Sequence, residues 1–359
     1  LQIKTKTEKS TRETGFECTS RLNNITYMKR IIAIVAGGDS SEHDVSMRSA
    51  QGIKSFLENQ PYDTYIVEVR GTNWNAHLND GTSAPVDRND FSFVDGGKRI
   101  RPDFSYITIH GTPGENGIIE GYFDLIDMPY STSDVLVEAM TFNKYALNQF
   151  LRSLGVSISD SVLLRKNQPR RYTNEEIVER LGLPCFVKPN AGGSSFGVSK
   201  VKEADELEPA IQKAMAESPE VMVESFMKGT EITCGCYKTS KTACVFPITE
   251  VVTDNEFFDY NAKYNGQVKE ITPARLSPET TERVKKETLN IYELLGCRGI
   301  IRIDYILTGE KGNEKINMLE INTTPGMTAT SFIPQQIKAD GKDIGCVLAE
   351  IIEDCLENR

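Results

Sequence analysis

Six consecutive apolar residues, IIAIVA at 31–36, run straight into two glycines, Gly37 and Gly38. A strand that is apolar at every position has both faces covered, and that belongs to parallel sheets flanked by helices. The next segment, about residues 45–58, carries Ala50, Ile53 and Leu57 on one helical face. Residues 65–69 and 106–109 read as further strands, the latter running into His110 and Gly111. The reading is an open, mostly parallel α/β sheet, whose ligands sit beyond the carboxyl ends of its strands. His43 and His110, two of only three histidines in the chain, both follow such ends.

The rest of the chain changes character. Helices are expected over residues 143–154, 203–217, 280–295 and 341–356, and strands over 185–189, 221–226, 299–307 and 316–321, with short β-rich pieces through about residue 264. Residues 1–27 are polar, mixed in charge and without an apolar stretch of the secretory kind. They are expected to form a disordered extension, with Met28 as the natural start. The 359-residue chain has a net charge of −10, which argues against nucleic acid as partner, and it has no apolar run of membrane-spanning length. Eight cysteines occur without a CxxC pair, so reduced thiols in a reducing, cytoplasmic compartment are expected.

Chemistry concentrates in three places. Lys188 ends a buried strand and precedes a loop with glycines at 192, 193 and 197 and serines at 194 and 195. Such a loop lets backbone N–H groups approach phosphate, and the lysine adds a compact charge. It is neither a Walker A loop nor a GxGxxG turn. Near the C-terminus, Arg302 and Asp304 alternate with apolar residues, as do Glu320 and Asn322. Period-two geometry puts each pair on one strand face; if the strands are neighbours, two carboxylates and an amide oxygen converge as hard ligands for Mg²⁺, with Arg302 beside them to stabilise an oxyanion. A Pro-Gly turn at 325–326 follows directly. A loop over residues 258–266, carrying Lys263 and Tyr264, is a candidate lid.

Six motifs, in order, resemble the D-alanine–D-alanine ligases of the ATP-grasp superfamily: GGDSSEHDVS (37–46), HGTPGENG (110–117), KPNAGGSSFG (188–197), YNAKY (260–264), RID (302–304) and EINTTPGMT (320–328). The resemblance covers everything after residue 28 and implies an ATP-grasp fold preceded by a Rossmann-like domain. Its implied divisions are residues 28–140, a central subdomain at 141–227 and a C-terminal subdomain at 228–359 bearing the lid and metal site. It implies ATP and two Mg²⁺ (or Mn²⁺) as cofactors, two D-alanine molecules as substrates, a homodimer, and a role in peptidoglycan precursor synthesis.

Residue by residue, the resemblance assigns Glu42 to the ammonium of the first D-alanine, with Ser194 and Tyr264 linking it to the lid. Lys144, Lys188, Ser195 and Lys263 would bind phosphates, and Glu231 the ribose. Glu224, Phe226, Met227, Phe257 and Leu319 would line the nucleotide pocket. Asp304, Glu320 and Asn322 would hold the metals, and Arg302 with the Gly326 N–H the oxyanion. His110, Ser331 and Phe332 would surround the second D-alanine. Tyr264 favours dipeptide over depsipeptide; a D-alanine–D-lactate ligase or another ATP-grasp carboxylate–amine ligase is the alternative. The chain departs from the family pattern at Asn116, at Glu120, at residues 190–192 and at 132–134.

Overall fold

The computed structural model describes residues 29–193, 196–253 and 268–358. The proposed N-terminal extension and the candidate lid, with Lys263 and Tyr264, lie outside the described residues, as do Ser194, Ser195 and Phe257.

The first sheet begins with β1 (Arg30–Gly37), followed by α1 (His43–Phe56), β2 (Tyr62–Arg70), β3 (Asn73–His77), β4 (Ser83–Pro85), a small hairpin of β5 (Phe93–Asp95) and β6 (Lys98–Ile100), and β7 (Phe104–Ile107). Its strand order is β4-β3-β2-β1-β7, with β1 parallel to both β2 and β7. The apolar run lies between β2 and β7, and residues 32–37 are all buried. The expectation of a mostly parallel sheet holds for these three strands only. β3 and β4 extend it antiparallel, because β2 reverses through a tight turn at Gly71, φ +51°. At Gly38, φ is +93° and a Cβ would lie 2.6 Å from Ile109 Cγ2, so only glycine fits between the β1 and β7 ends. The strand expected at 106–109 starts two residues earlier and ends at Ile107. Beyond it the chain leaves the sheet, turning at Gly111 with φ +73°.

Three helices follow, α2 (Ile118–Leu125), α3 (Val135–Phe142) and α4 (Lys144–Ser153). A four-stranded antiparallel sheet is then built from β8 (Ser161–Arg165), β9 (Cys185–Pro189), β10 (Ser199–Val201) and β11 (Glu220–Ser225), in the order β10-β9-β11-β8. α5 (Asn174–Leu181) and α6 (Leu207–Glu217) cover one face, burying Ile177, Leu207 and Ile211 against Val187, Val221 and Val223.

The last sheet contains β12 (Thr230–Lys238), β13 (Ala243–Val245), β14 (Thr249–Thr253), β15 (Val268–Ile271), β16 (Ile301–Thr308) and β17 (Lys315–Asn322). Its order is β15-β14-β12-β16-β17, with β13 on β12, and every pairing is antiparallel. Its core lies under α7 (Pro278–Leu295), which packs Val284, Ile291 and Leu295 on Ile301, Ile303 and Tyr305. The alternation of β16 therefore decides the site: its odd-numbered residues are buried under α7, and Arg302 and Asp304 face the other way. α8 (Phe332–Ala339), not foreseen from sequence, and α9 (Ile344–Glu357) return to the first sheet, packing Ile333, Val347 and Ile351 with Ile32, Ile34 and Ile53. The expected closing helix begins at Ile344, three residues late, because Asp343 caps it by accepting from the Cys346 N–H.

Candidate active site

β16 and β17 are neighbours, with Arg302 opposite Asn322 and Asp304 opposite Glu320. The expected convergence of two carboxylates and one amide is therefore present. A β-bulge at this point makes Leu319 the extra residue between the pairs Asp304/Glu320 and Tyr305/Met318. Bulges re-aim side chains, and here the shift separates Glu320, Ile321 and Asn322 from residues 315–318 of the same strand. Asp304 is held on both oxygens by Arg302, from Nε at 2.9 Å and Nη2 at 2.8 Å. Thr233 of β12 donates to the first oxygen at 2.5 Å, and Asn322 Nδ2 to the second at 3.3 Å. The Arg302 guanidinium lies 5.3 Å from the centre of the Phe332 ring. Glu231 stands two residues before Thr233 on the same face of β12.

The side expected to take phosphate is built on α4 and β9. Lys144 opens α4, and its Nζ lies 2.9 Å from Glu320 Oε1 and donates to the Gly192 carbonyl at 2.8 Å. Burial alone would depress this lysine's pKa, but Glu320 outweighs it and the ammonium is stabilised. Lys188 is paired with Glu224 at 2.7 Å, and Ser159 donates to the other Glu224 oxygen at 3.1 Å. Both members of that pair are almost wholly buried, which demands such partners. Phe226 lies 5.9 Å from Phe186 and beneath the Lys200 ammonium, at 4.4 Å, with Met227 beside it half-buried. Asn190, one of the departures from the family pattern, is fully buried. It accepts from the Tyr145 N–H at 2.8 Å and its backbone carbonyl accepts from the Lys144 N–H at 3.0 Å, which fixes the glycine loop on the N-terminus of α4.

The third wall comes from the first sheet. Glu42 precedes α1, and a Cβ on Gly193 would stand 2.4 Å from its Oε2. The glycine loop thus reaches the proposed ammonium holder, and a side chain at 193 would displace it. His110 is buried, with Nε2 at 3.5 Å from Ser49 Oγ; Ser49 also accepts from the Met327 N–H at 3.2 Å. Burial pushes the His110 imidazole below its ordinary pKa; Glu42 opposes this and Arg302 adds to it. Ser331 Oγ accepts from the Thr328 N–H at 3.2 Å and would be 2.9 Å from a Cβ on Gly326, so the turn is packed against the start of α8. His43, by contrast, is not drawn into the site: its ring lies 3.1 Å from Glu68 Oε1. The strand-end position of a histidine did not distinguish it from His110.

Sequence reasoning missed the groups behind this surface. Glu115 accepts from the Gly111 N–H at 2.7 Å, and burial raises its pKa to about 7. Glu138 of α3 accepts from Thr323 Oγ1 and from the Ser133 N–H at 3.0 Å, tying α3 to the residue after Asn322. Glu120, a second family departure, accepts from Thr132 at 3.0 Å; burial raises its pKa to about 8. A glutamate within an amphipathic helix gives no local sign of being buried. Among the described residues no cluster of three or more His, Cys, Asp or Glu side chains is arranged to hold a metal. The donor set here is two carboxylates and an amide; oxygen donors on adjoining strands suit Mg²⁺ or Mn²⁺, which also take ligands from phosphate.

Three sheets that converge on paired lysines, a glycine loop and an acidic strand pair define an ATP-grasp enzyme. The D-ala D-ala ligase N-terminus model matches residues 31–133 and the D-ala D-ala ligase C-terminus model residues 150–353. The chain belongs to the D-alanine–D-alanine ligase family. A D-alanine–D-alanine ligase of Phocaeicola vulgatus is 62% identical over 327 residues, 91% of this chain and 99% of the relative. The solved D-alanyl-alanine synthetase A of Vibrio cholerae superimposes with a TM-score of 0.80 at 27% identity, covering 92% of this chain and 100% of that one. A D-alanine–D-alanine ligase of Bacillus anthracis in complex with ATP gives 0.72 at 28% identity, covering 91% and 98%.

Proposed function

We propose that the protein joins two D-alanine molecules into D-alanyl-D-alanine at the expense of ATP, through an acyl phosphate. The observation that carries this is the meeting of Asp304, Glu320 and Asn322 with Lys144, across from the glycine loop that reaches Glu42.

Glu42 holds the ammonium of the first D-alanine, and a carboxylate oxygen of that D-alanine attacks the γ-phosphorus, releasing ADP. Lys144, Lys188 and Lys263 neutralise the phosphates, while Ser195 and the loop N–H groups orient them. Glu224, Phe226, Met227, Phe257 and Leu319 line the nucleotide pocket, and Glu231 takes the ribose. Asp304, Glu320 and Asn322 hold two divalent cations, which when bound supply charge neutralisation at the transferring phosphoryl group. His110, Ser331 and Phe332 position the second D-alanine, whose amine attacks the acyl carbonyl. Arg302 and the Gly326 N–H stabilise the oxyanion, where one donor contributes on the order of 3 kcal/mol. Phosphate then leaves with one of the original carboxylate oxygens. Ser194 and Tyr264 tie the lid to Glu42 and exclude water from the acyl phosphate.

The three sheets fall within residues 28–140, 141–227 and 228–359, which supports those divisions. α2 and α3 expose Ile118, Leu125 and Leu136, at 60%, 88% and 66%, an apolar surface that supports a homodimer through the N-terminal part. The seven described cysteines carry no disulfide, in keeping with a reducing cytoplasm, where the dipeptide would enter peptidoglycan precursors.

The test is incubation with ATP, Mg²⁺ and D-alanine, with products weighed by mass spectrometry and D-lactate, D-serine and L-alanine offered in parallel. D-alanyl-D-alanine as the main product is expected; a depsipeptide or mixed dipeptide in its place, or ADP without any condensed product, overturns the reading. Lys263→Ala and Glu320→Ala should nearly abolish turnover of folded protein, and Tyr264→Phe should admit more D-lactate.

A further inference from the structure

The cationic and anionic halves of the site are joined directly to each other. Lys144, proposed to bind phosphate, is spent on Glu320, proposed to bind metal, at 2.9 Å. The pair is sheltered, with the lysine side chain 15% exposed and the glutamate 34%. The lysine has a further hydrogen bond to the Gly192 carbonyl of the glycine loop, and Glu320 is directly next to the bulge at Leu319. Neither partner is a loop-tip side chain free to swing away: Lys144 opens a helix fixed by Asn190, and Glu320 lies within a paired strand.

We propose that the Lys144–Glu320 ion pair is an internal substitute for both ligands, so that nucleotide phosphate and divalent cation displace it together and each binds more tightly once the other has arrived. The inference rests on the proposed metal role of Glu320. A cation binding alone must compete with the lysine for the carboxylate. A phosphate binding alone must compete with the carboxylate for the lysine. With both present, the two halves of the broken pair each gain a new partner, and no charge is left buried and unmatched. Coupling of this kind is reciprocal, and couplings between sites run from about 5-fold to about 150-fold. The site thereby rejects free cation and free nucleotide in favour of the two combined.

The consequence runs against the usual effect of removing a binding residue. Lys144→Met should bind Mn²⁺ alone more tightly than the unaltered protein, by about 5-fold or more, read from the free-ion paramagnetic resonance signal. Lys144→Arg, which keeps the charge, should stay near the unaltered value. Lys188→Met removes a positive charge of the same site whose partner is Glu224, and should change Mn²⁺ binding much less. Reciprocally, Glu320→Gln should bind ADP more tightly in the presence of a chelator, read by calorimetry. Thermal melts of each variant establish that it is folded; should Lys144→Met fail to fold, Lys144→Gln takes its place. Tightening in both arms supports the exchange. Weaker or unchanged Mn²⁺ binding by Lys144→Met, or tightening equalled by Lys188→Met, overturns it. If Glu320→Gln leaves Mn²⁺ binding untouched, the metal role itself fails, which is a different result from loss of the coupling alone.

Discussion

Gly52 and Gly121 both lie inside helices, in α1 and α2, yet alanine at the two positions should act in opposite directions. In an exposed helix interior Gly→Ala contributes up to about 1 kcal/mol, through helix propensity and a less free unfolded chain. At Gly121 the new Cβ would meet Val135 Cγ2 at 3.6 Å, an ordinary contact, so a gain of roughly 0.5–1 kcal/mol with unchanged turnover is expected. At Gly52 it would stand 2.3 Å from the Met327 carbonyl oxygen. Carbon contacts settle at ~3.5 Å or more, so helix and turn must part by about 1 Å. The turn cannot yield freely, because the Met327 N–H is bonded to Ser49 of the same helix. Overpacking costs about 1–3 kcal/mol, which outweighs the propensity gain and leaves a net loss of up to roughly 2 kcal/mol. Gly326, whose N–H is proposed to face the oxyanion, is the neighbouring residue in that turn. Misplacement by ~1 Å at a reacting centre costs on the order of 100-fold in rate. Urea unfolding and phosphate release with saturating D-alanine measure the two effects separately. If Gly52→Ala is as stable and as active as Gly121→Ala, the packing of α1 against the turn does not position the oxyanion donor.

Lys188→Met leaves Glu224 buried with only Ser159 of the described partners, so urea unfolding should reveal a loss of about 3–5 kcal/mol. Adding Glu224→Gln should recover part of that stability but not ADP affinity; recovery of both would remove Lys188 from the phosphate site. Glu120 has its folded-state pKa raised to about 8, so its neutral form favours folding, and that stability is lost as pH rises from about 4.5 towards 8. Glu120→Gln should therefore gain on the unaltered protein by roughly 1–3 kcal/mol between pH 5 and pH 8, and parallel stability curves would refute the shift. Thr233→Val removes a donor to Asp304 without changing side-chain shape and should cost about 1 kcal/mol, seen as a severalfold higher Mg²⁺ concentration for half-maximal turnover. An unchanged Mg²⁺ requirement would mean that Arg302 and Asn322 orient Asp304 without Thr233.

The proposed metal face was legible because it is local. Alternation in β16 and β17 needs only period two, and the apolar residues under α7 fix which face is turned outward. β1 was legible for the same reason, through an unbroken apolar run closed by glycines. What escaped depends on distant partners. Thr233 matters because β12 lies beside β16, and Glu138 because α3 abuts the end of β17. Asn190 resembled any loop polar residue until α4 was placed on it. α8 is only eight residues long and carries Pro334, which masks its period, and the short strands β3 to β6 are broken up by turn residues. The six ordered motifs supplied the functional assignment, and the register of two strands supplied its physical sense.

The acyl phosphate is tested most directly by the path of oxygen. D-alanine labelled with ¹⁸O in both carboxylate oxygens is turned over with unlabelled ATP, and the released phosphate is examined by ³¹P resonance and mass. Attack of the carboxylate on the γ-phosphorus predicts one ¹⁸O in each phosphate, with the first residue's carbonyl in the dipeptide keeping the other. Unlabelled phosphate alongside dipeptide formation would contradict the central claim that this site activates a carboxylate by phosphorylating it.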